Sequence, residues 1–334
     1  MMNALKSVVC GAAILLGTST PGIAQSSSLE LHLYAGVSIT GTVGEIYVVQ
    51  SSSNPDQSNS WVSLAFVQMP ASNHLFVDTT VPAQGNRFFR TLVQSPPTNM
   101  AFIPPGTFTM GSPTNEVDRN VNEGPQTRVL LSRGFWIGKY EVTQREYLDV
   151  TGNNPSVFPE DLSRPVSSVS WPDATNYCWM LTQRELAAGR IPAGSQYRLP
   201  TEAEWECAAR VGTSTRFSYG DDPGYASLPN YAWNWMNGAL TVHPVGQKLP
   251  NAWGLYDIYG NVWEWCQDWL GDLPGGMLID PQGPPSNSIG WKVIRGGGYD
   301  YGEADCRSAR RYFFGNHPGL TDSNLGFRVV LSCP

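Results

Sequence analysis

The chain has 334 residues, enough for two domains, and a formal net charge of −7. An acidic chain lacks the basic face that nucleic-acid binding needs. Only 15% of its residues are charged, while Gly, Pro and Trp number 34, 26 and 12, which points to a loop-rich, aromatic-cored fold and away from helical bundles.

Residues 1–24 read as an export leader. Lys6 supplies positive charge, Val8 to Gly17 is an apolar run too short to span a bilayer, and Gly22-Ile23-Ala24 fits the small-x-small cleavage rule. Cleavage there starts the mature chain at Gln25 and places it outside the cytoplasm, periplasmic or secreted, with no membrane span. Five cysteines remain: Cys178, Cys207, Cys266, Cys306 and Cys333. An oxidising compartment permits disulfides, but an odd count leaves at least one thiol free or paired elsewhere. None is spaced for a zinc site.

Residues 25–95 read as a small all-β module. Leu29, Leu31 and Leu33 alternate with Glu30 and His32. Short runs follow at 37–40, 45–49, 61–67, 75–78 and 87–93, split by Gly and polar stretches. His32 and His74 are isolated, and the module holds no catalytic constellation. Residues 96–99 are a linker by composition.

The second domain, 100–334, opens with a strand, the Pro105-Gly106 turn and a return strand. Residues 113–127 are polar and read as an exposed loop. Phe135 to Val142 reads as a strand. Thr143 with Glu146 has capping-box spacing and starts a helix. A second helix begins at Ser170 or Trp171, with Pro172 in its first turn, and runs through Leu186. Ala174, Tyr177, Cys178, Leu181 and Glu185 share its buried face. Thr201 and Glu204 form another capping box, and the helix they start ends near Gly212.

Little regular pattern follows until Gly254. Then Trp263, Trp265 and Trp269 fall within seven residues, alternating with Glu264 and Asp268 behind the turn signal Gly260-Asn261. Period-two alternation predicts a strand with one buried aromatic face and one polar face. Asp257, Asn261 and Glu264 stand close enough to supply oxygens to a hard cation, the plainer alternative being solvated surface acids.

Several segments in order then carry a resemblance. They are Met110-Gly111-Ser112, Tyr140-Glu141-Val142-Thr143, Pro165-Val166 with Val169-Ser170-Trp171, Arg198-Leu199-Pro200-Thr201-Glu202-Ala203-Glu204-Trp205-Glu206, Gly260-Asn261-Val262-Trp263-Glu264-Trp265, Arg295-Gly296-Gly297 and Asn324-Leu325-Gly326-Phe327-Arg328. With these, residues 100–334 resemble the formylglycine-generating enzyme (sulfatase-modifying factor) family. The resemblance implies an α+β, C-type-lectin-like domain with little regular secondary structure.

The family's enzymes oxidise a sulfatase cysteine to formylglycine, using oxygen and a copper ion held between two thiolates, as soft Cu(I) requires. In them a serine follows the Gly-Gly pair, one active cysteine lies three residues beyond it, and the other five further on. Here Gly298 takes the serine position and Tyr301 the first cysteine position; only Cys306 matches. A phenol is a hard oxygen with a pKa near 10 and a poor Cu(I) ligand. A copper-free reaction at Cys306 would need a cationic neighbour, for which Arg307, Arg310 and Arg311 are the candidates. The departure implies a catalytically altered member that binds a peptide, protein or glycan in its groove. The competing reading is an active formylglycine-generating oxidase. Sulfoxide-forming relatives carry an iron-binding histidine cluster, whereas His32, His74, His243 and His317 are scattered.

The resemblance also implies structural Ca²⁺. Asp257 and Glu264 would bind through side chains, and Gly260 and Val262 through carbonyls. A second site would begin at Asn230 and the Tyr231 carbonyl, but the segment with its other ligands is shortened here. A family disulfide implies pairing of Cys178 with Cys333, four residues beyond the usual partner position.

Overall fold

The computed structural model describes residues 9–12, 33–79, 87–286, 288–312 and 315–333. Most of the leader, with its expected cleavage site, and the alternation at 29–32 lie outside the described residues. The chain divides into two compact units, Met1–Ser95 and Pro96–Pro334.

In the first unit, Leu33–Thr40 pairs antiparallel with Val9–Ala12 and Asn73–Asp78. Ile46–Ser52 is the centre of a second antiparallel sheet, between Val62–Gln68 and Phe88–Val93. Val37 and Ile39 of one sheet share a core with Val49 and Leu64 of the other. Alternation at period two therefore gives each sheet one apolar face.

The second unit is assembled from small sheets. Phe135–Gly138 lies between Met100–Ile103 and Val330–Ser332, and Gln196–Arg198 adds outside the latter. Thr127–Leu131 pairs with Gly106–Met110 and, in parallel, with Met277–Ile279. Trp263–Trp269 is central in a third sheet, flanked by Lys292–Arg295 and Leu325–Gly326. Helices α1 (Gln144–Thr151), α2 (Trp171–Ala187) and α3 (Glu202–Arg210) begin where their caps predict, each with a complete capping box on Thr143, Ser170 and Thr201. The five residues assigned to the inner face of α2 are all buried. No helix of the described residues is long and apolar enough to cross a membrane.

Three local expectations give way. The strand from Phe135 ends at Gly138, because the chain leaves the sheet there and Glu141 turns inward, where it is 1% exposed. The segment 113–127 is not a free polar loop. Glu123 is fully buried, and its carboxylate accepts from Arg307 Nη1 and Nη2 at 2.8 and 2.7 Å and from Ser112 Oγ at 2.8 Å. The strand Trp263–Trp269 has no solvated face. Glu264 and Asp268 are buried as deeply as the tryptophans beside them.

Arginines make this burial tolerable. Arg295 joins Glu202 and Glu206, Arg311 joins Glu202, Arg210 joins Glu206, and Arg328 joins Glu264. The same guanidinium groups donate to carbonyls of irregular chain: Arg295 to Ser308, Arg311 to Gly271, and Arg328 to Gly138. Backbone acceptors without a ladder are thereby satisfied, which is how so loop-rich a chain packs tightly.

Asp268 is buried with no arginine bonded to it. It accepts from Glu202 N at 2.8 Å, and burial, with the Glu202 charge behind it, raises its pKa to about 7. The folded state then holds this proton across a range where the unfolded chain has lost it. The contribution is complete below about pH 4 and is lost progressively as pH rises from there through 7, worth roughly 4 kcal/mol. Denaturation of the wild type and of Asp268→Asn at pH 5 and pH 8 should therefore show the variant gaining relative stability at the higher pH. An unchanged difference would refute the assignment.

Candidate functional site

Two sites lie close together on the strand Trp263–Trp269 and the turn before it. The first is a knot of carboxylates. Asp257 and Asn261 adopt left-handed conformations, at φ 51° and 61°. Between them Gly260, at φ 88°, passes so near Trp233 that a Cβ would lie 2.1 Å from its carbonyl oxygen; only glycine fits. This turn buries Asp257, whose Oδ2 accepts from Gly246 N at 2.6 Å and whose Oδ1 has no hydrogen-bond partner among the described residues. Glu264 accepts from Arg328 Nε and Nη2 at 2.7 and 2.6 Å and from Trp205 Nε1 at 2.8 Å.

Glu141 completes the knot. It accepts from Val262 N at 3.0 Å and from Asn261 Nδ2 at 2.8 Å. Burial, then the charges of Asp257 and Glu264, push its pKa well above the usual carboxylate range. Burial likewise raises Asp257 to about 6. Three buried carboxylates thus share one guanidinium, and one carboxylate oxygen is unsatisfied. Asp257 Oδ1 is the open oxygen of this set, while both Glu264 oxygens are filled by Arg328 and Trp205, and among the described residues no group of three His, Cys, Asp or Glu side chains is arranged to hold a metal ion. Glu141 was read as part of a strand and of the Tyr140-Glu141-Val142-Thr143 segment, not as a member of the site. An acid between Tyr140 and Val142 was the one signal available.

Asn230 and Tyr231, expected to begin a second cation site, stand at the end of the short 3₁₀ turn Leu228–Asn230. Asn230 is exposed, and its carbonyl already accepts from Leu249 N at 2.8 Å. Lys248 Nζ lies 2.7 Å from the neighbouring Pro229 carbonyl and over the Trp233 ring, so a fixed ammonium stands beside these residues.

The second site surrounds Tyr301. Its hydroxyl donates to Tyr312 Oη at 3.1 Å, and its ring meets Trp263 edge-on at 5.3 Å. Tyr312 also lies 5.0 Å from Trp263. Burial, then the bond to Tyr312, raises the Tyr301 pKa above an ordinary phenol's. Asp300 is held through both carboxylate oxygens by Asn324 Nδ2, at 3.1 and 3.0 Å. A Cβ on Gly298 would stand 3.2 Å from Trp263 Cδ1, so the missing side chain lets the indole settle against the backbone. Tyr312 was not singled out from the sequence, because nothing local ties it to Tyr301.

Cys306 is fully buried under Gly297, and its thiol points to Gly302 O at 3.9 Å. Burial, then Asp305 and Glu303, push its pKa up. The expected cationic neighbours are engaged elsewhere: Arg307 with Glu116 and Glu123, Arg310 with Asp305, and Arg311 with Glu202. A buried thiol whose pKa is raised is a weak nucleophile. The pairing of Cys178 with Cys333 is not formed; all five cysteines of the second unit are free thiols. Strand register explains the miss. Arg198 lies opposite Val330, and its charge reaches Cys178, whereas Cys333 Sγ lies 3.9 Å from Ser195 Oγ, farther along the sheet.

Residues 87–333 match the model of the sulfatase-modifying factor enzyme 1-like domain. The chaperone protein LppX of Paenibacillus barcinonensis is 34% identical over 253 residues, covering 59% of this chain and 80% of that protein. The formylglycine-generating enzyme of Bos taurus is 31% identical over 302 residues, covering 71% and 75%. Among solved structures, Treponema denticola variable protein 1 is similar with a TM-score of 0.61 at 30% identity, covering 77% of this chain and 99% of that one.

Proposed function

The chain belongs to the sulfatase-modifying factor family, and on that premise we propose that it is an exported member that binds a peptide, protein or glycan without oxidising it. The observation that carries this reading is Tyr301. A phenol, hydrogen-bonded to Tyr312, occupies the position where the family's oxidases place a thiolate. The remaining thiol, Cys306, is buried, and burial pushes its pKa up. One such thiol and one phenol do not make a copper site, since Cu(I) takes soft sulfur donors. The opposing reading, an active oxidase, is supported by the similarity to the bovine enzyme.

The same reading includes structural calcium. Asp257 and Glu264 would hold it with the Gly260 and Val262 carbonyls. Bound there, the ion supplies positive charge to a carboxylate knot that has one arginine. Glu141 holds the loop in place through Val262 N and Asn261 Nδ2.

The test of the oxidase question is aerobic incubation of the full chain, supplied with copper, with a Cys-x-Pro-x-Arg peptide. Mass spectrometry should recover the cysteine unchanged. Conversion to the aldehyde at enzyme-like rates would overturn the proposal.

A further inference from the structure

The turn after Ala232–Trp233 displays apolar side chains beside the Tyr301 site and has no evident role in the core. Trp235 is 59% exposed, Met236 66% and Leu240 56%. A loop whose only task is to connect does not need three large apolar groups in water.

The turn is braced. Asn234 Oδ1 accepts from Met236 N at 2.9 Å, and Asn237 Oδ1 accepts from Asn234 N at 2.9 Å. The Asn234 carbonyl takes Asn237 N and Gly238 N. Trp235 N donates to Tyr301 O at 2.9 Å, which ties the turn to the second site. A Cβ on Gly238 would lie 2.7 Å from Asn234 O and 2.9 Å from Tyr299 O, so the turn sits hard against the Tyr299 backbone. Ala239 and Leu240 hold left-handed φ values of 50° and 56°, which side chains adopt only where the surroundings impose them. Trp235 and Met236 are therefore presented on a fixed backbone, and little further order is lost when they are covered.

Acids stand around Tyr301, to which this turn is bonded. Several buried acids of the second unit, such as Glu123, Glu202, Glu206 and Glu264, are bonded to arginines. Among the described residues, however, no ion pair involves Asp300, Glu303 or Asp322, while neighbouring Asp305 is taken by Arg310. The charges of Asp300 and Asp322 both reach the Tyr301 phenol. A Trp and Met centre with tyrosines beside it and unpaired charge around Tyr301 has the make-up of a protein-binding hot spot.

We propose that Trp235, Met236 and Leu240 anchor a docking surface for a basic polypeptide segment. Apolar side chains of the partner cover the turn, and its Lys or Arg groups meet Asp300, Glu303 and Asp322. This rests on the non-oxidising binding reading and names its ligand as a cationic polypeptide rather than a glycan.

The test is selection of a random peptide library displayed on phage against the full chain, followed by affinity measurements on synthetic peptides. Selected peptides should be enriched in Lys or Arg beside an apolar residue. Their affinity should fall at least tenfold in Trp235→Ala and weaken with added salt. The salt dependence should shrink in Asp300→Asn with Asp322→Asn. Unchanged melting curves keep the comparison to binding alone. Peptides without basic residues, or equal affinity for Trp235→Ala, would overturn the proposal. So would failure to select peptides alongside glycan binding that Tyr301→Ala abolishes, which would leave the binding reading standing. Oxidation of a cysteine peptide by the wild type would remove that reading itself.

Discussion

Replacement of Arg328 by methionine is expected to destabilise the second unit by about 3–5 kcal/mol, the usual consequence of leaving one member of a buried ion pair alone. Arg328 and Glu264 are both fully buried, and the guanidinium donates twice to the carboxylate. Without it Glu264 keeps only the Trp205 indole N–H, beside two further buried carboxylates, Glu141 and Asp257. The arginine also holds the Gly138 and Tyr256 carbonyls, where strand gives way to irregular chain. Chemical denaturation measures the loss. Arg328→Met with Glu264→Gln should recover part of it, because the stranded charge is then gone. A loss below about 1 kcal/mol in the single variant would show that the pair contributes no more than a surface bridge.

That pair also marks the limit of what was legible in the chain. The three helices were readable from local signals: capping boxes of Thr143 with Glu146 and Thr201 with Glu204 for two of them, and Pro172 in the first turn for the third, whose Ser170–Asp173 box the structure adds. The inner face of α2 was readable from helical spacing. The polarity of Trp263–Trp269 was not, because Glu264 finds its arginine 64 residues away, just as Glu123 finds Arg307 184 residues away. Alternation shows which side chains are polar but cannot say that a distant guanidinium lets them be buried. The same holds at the sites. Motif order placed Asp257, Glu264, Tyr301 and Cys306. The third carboxylate, Glu141, and the second phenol, Tyr312, come from segments that only the fold brings together.

Calcium is expected to raise the melting temperature of the protein, and a chelator to lower it. At a hundredfold excess over its dissociation constant, a ligand bound only by the folded state adds about 2.7 kcal/mol. For a unit of this size that is roughly 5–10 °C. Magnesium should not substitute, because it demands a smaller, stricter octahedral shell than a mixed carboxylate and carbonyl site offers. Asp257→Asn should abolish the response, since the unsatisfied Oδ1 is the oxygen with most to gain from a cation. Equal melting temperatures in chelator and in calcium would rule the ion out. A calcium response surviving in Asp257→Asn would move the site elsewhere.

The account turns on Tyr301 having replaced a copper ligand, so copper affinity tests it most directly. Reduced full-length protein is titrated with Cu(I) against a competing chelator, in parallel with Tyr301→Cys combined with Gly298→Ser. The wild type is expected to hold no stoichiometric copper, since Cys306 is the one sulfur donor at the two positions and Tyr301 is the other residue. The double variant, with a thiol restored at position 301, is expected to retain the ion against the chelator. Wild-type protein that binds Cu(I) as tightly as the double variant would contradict the account.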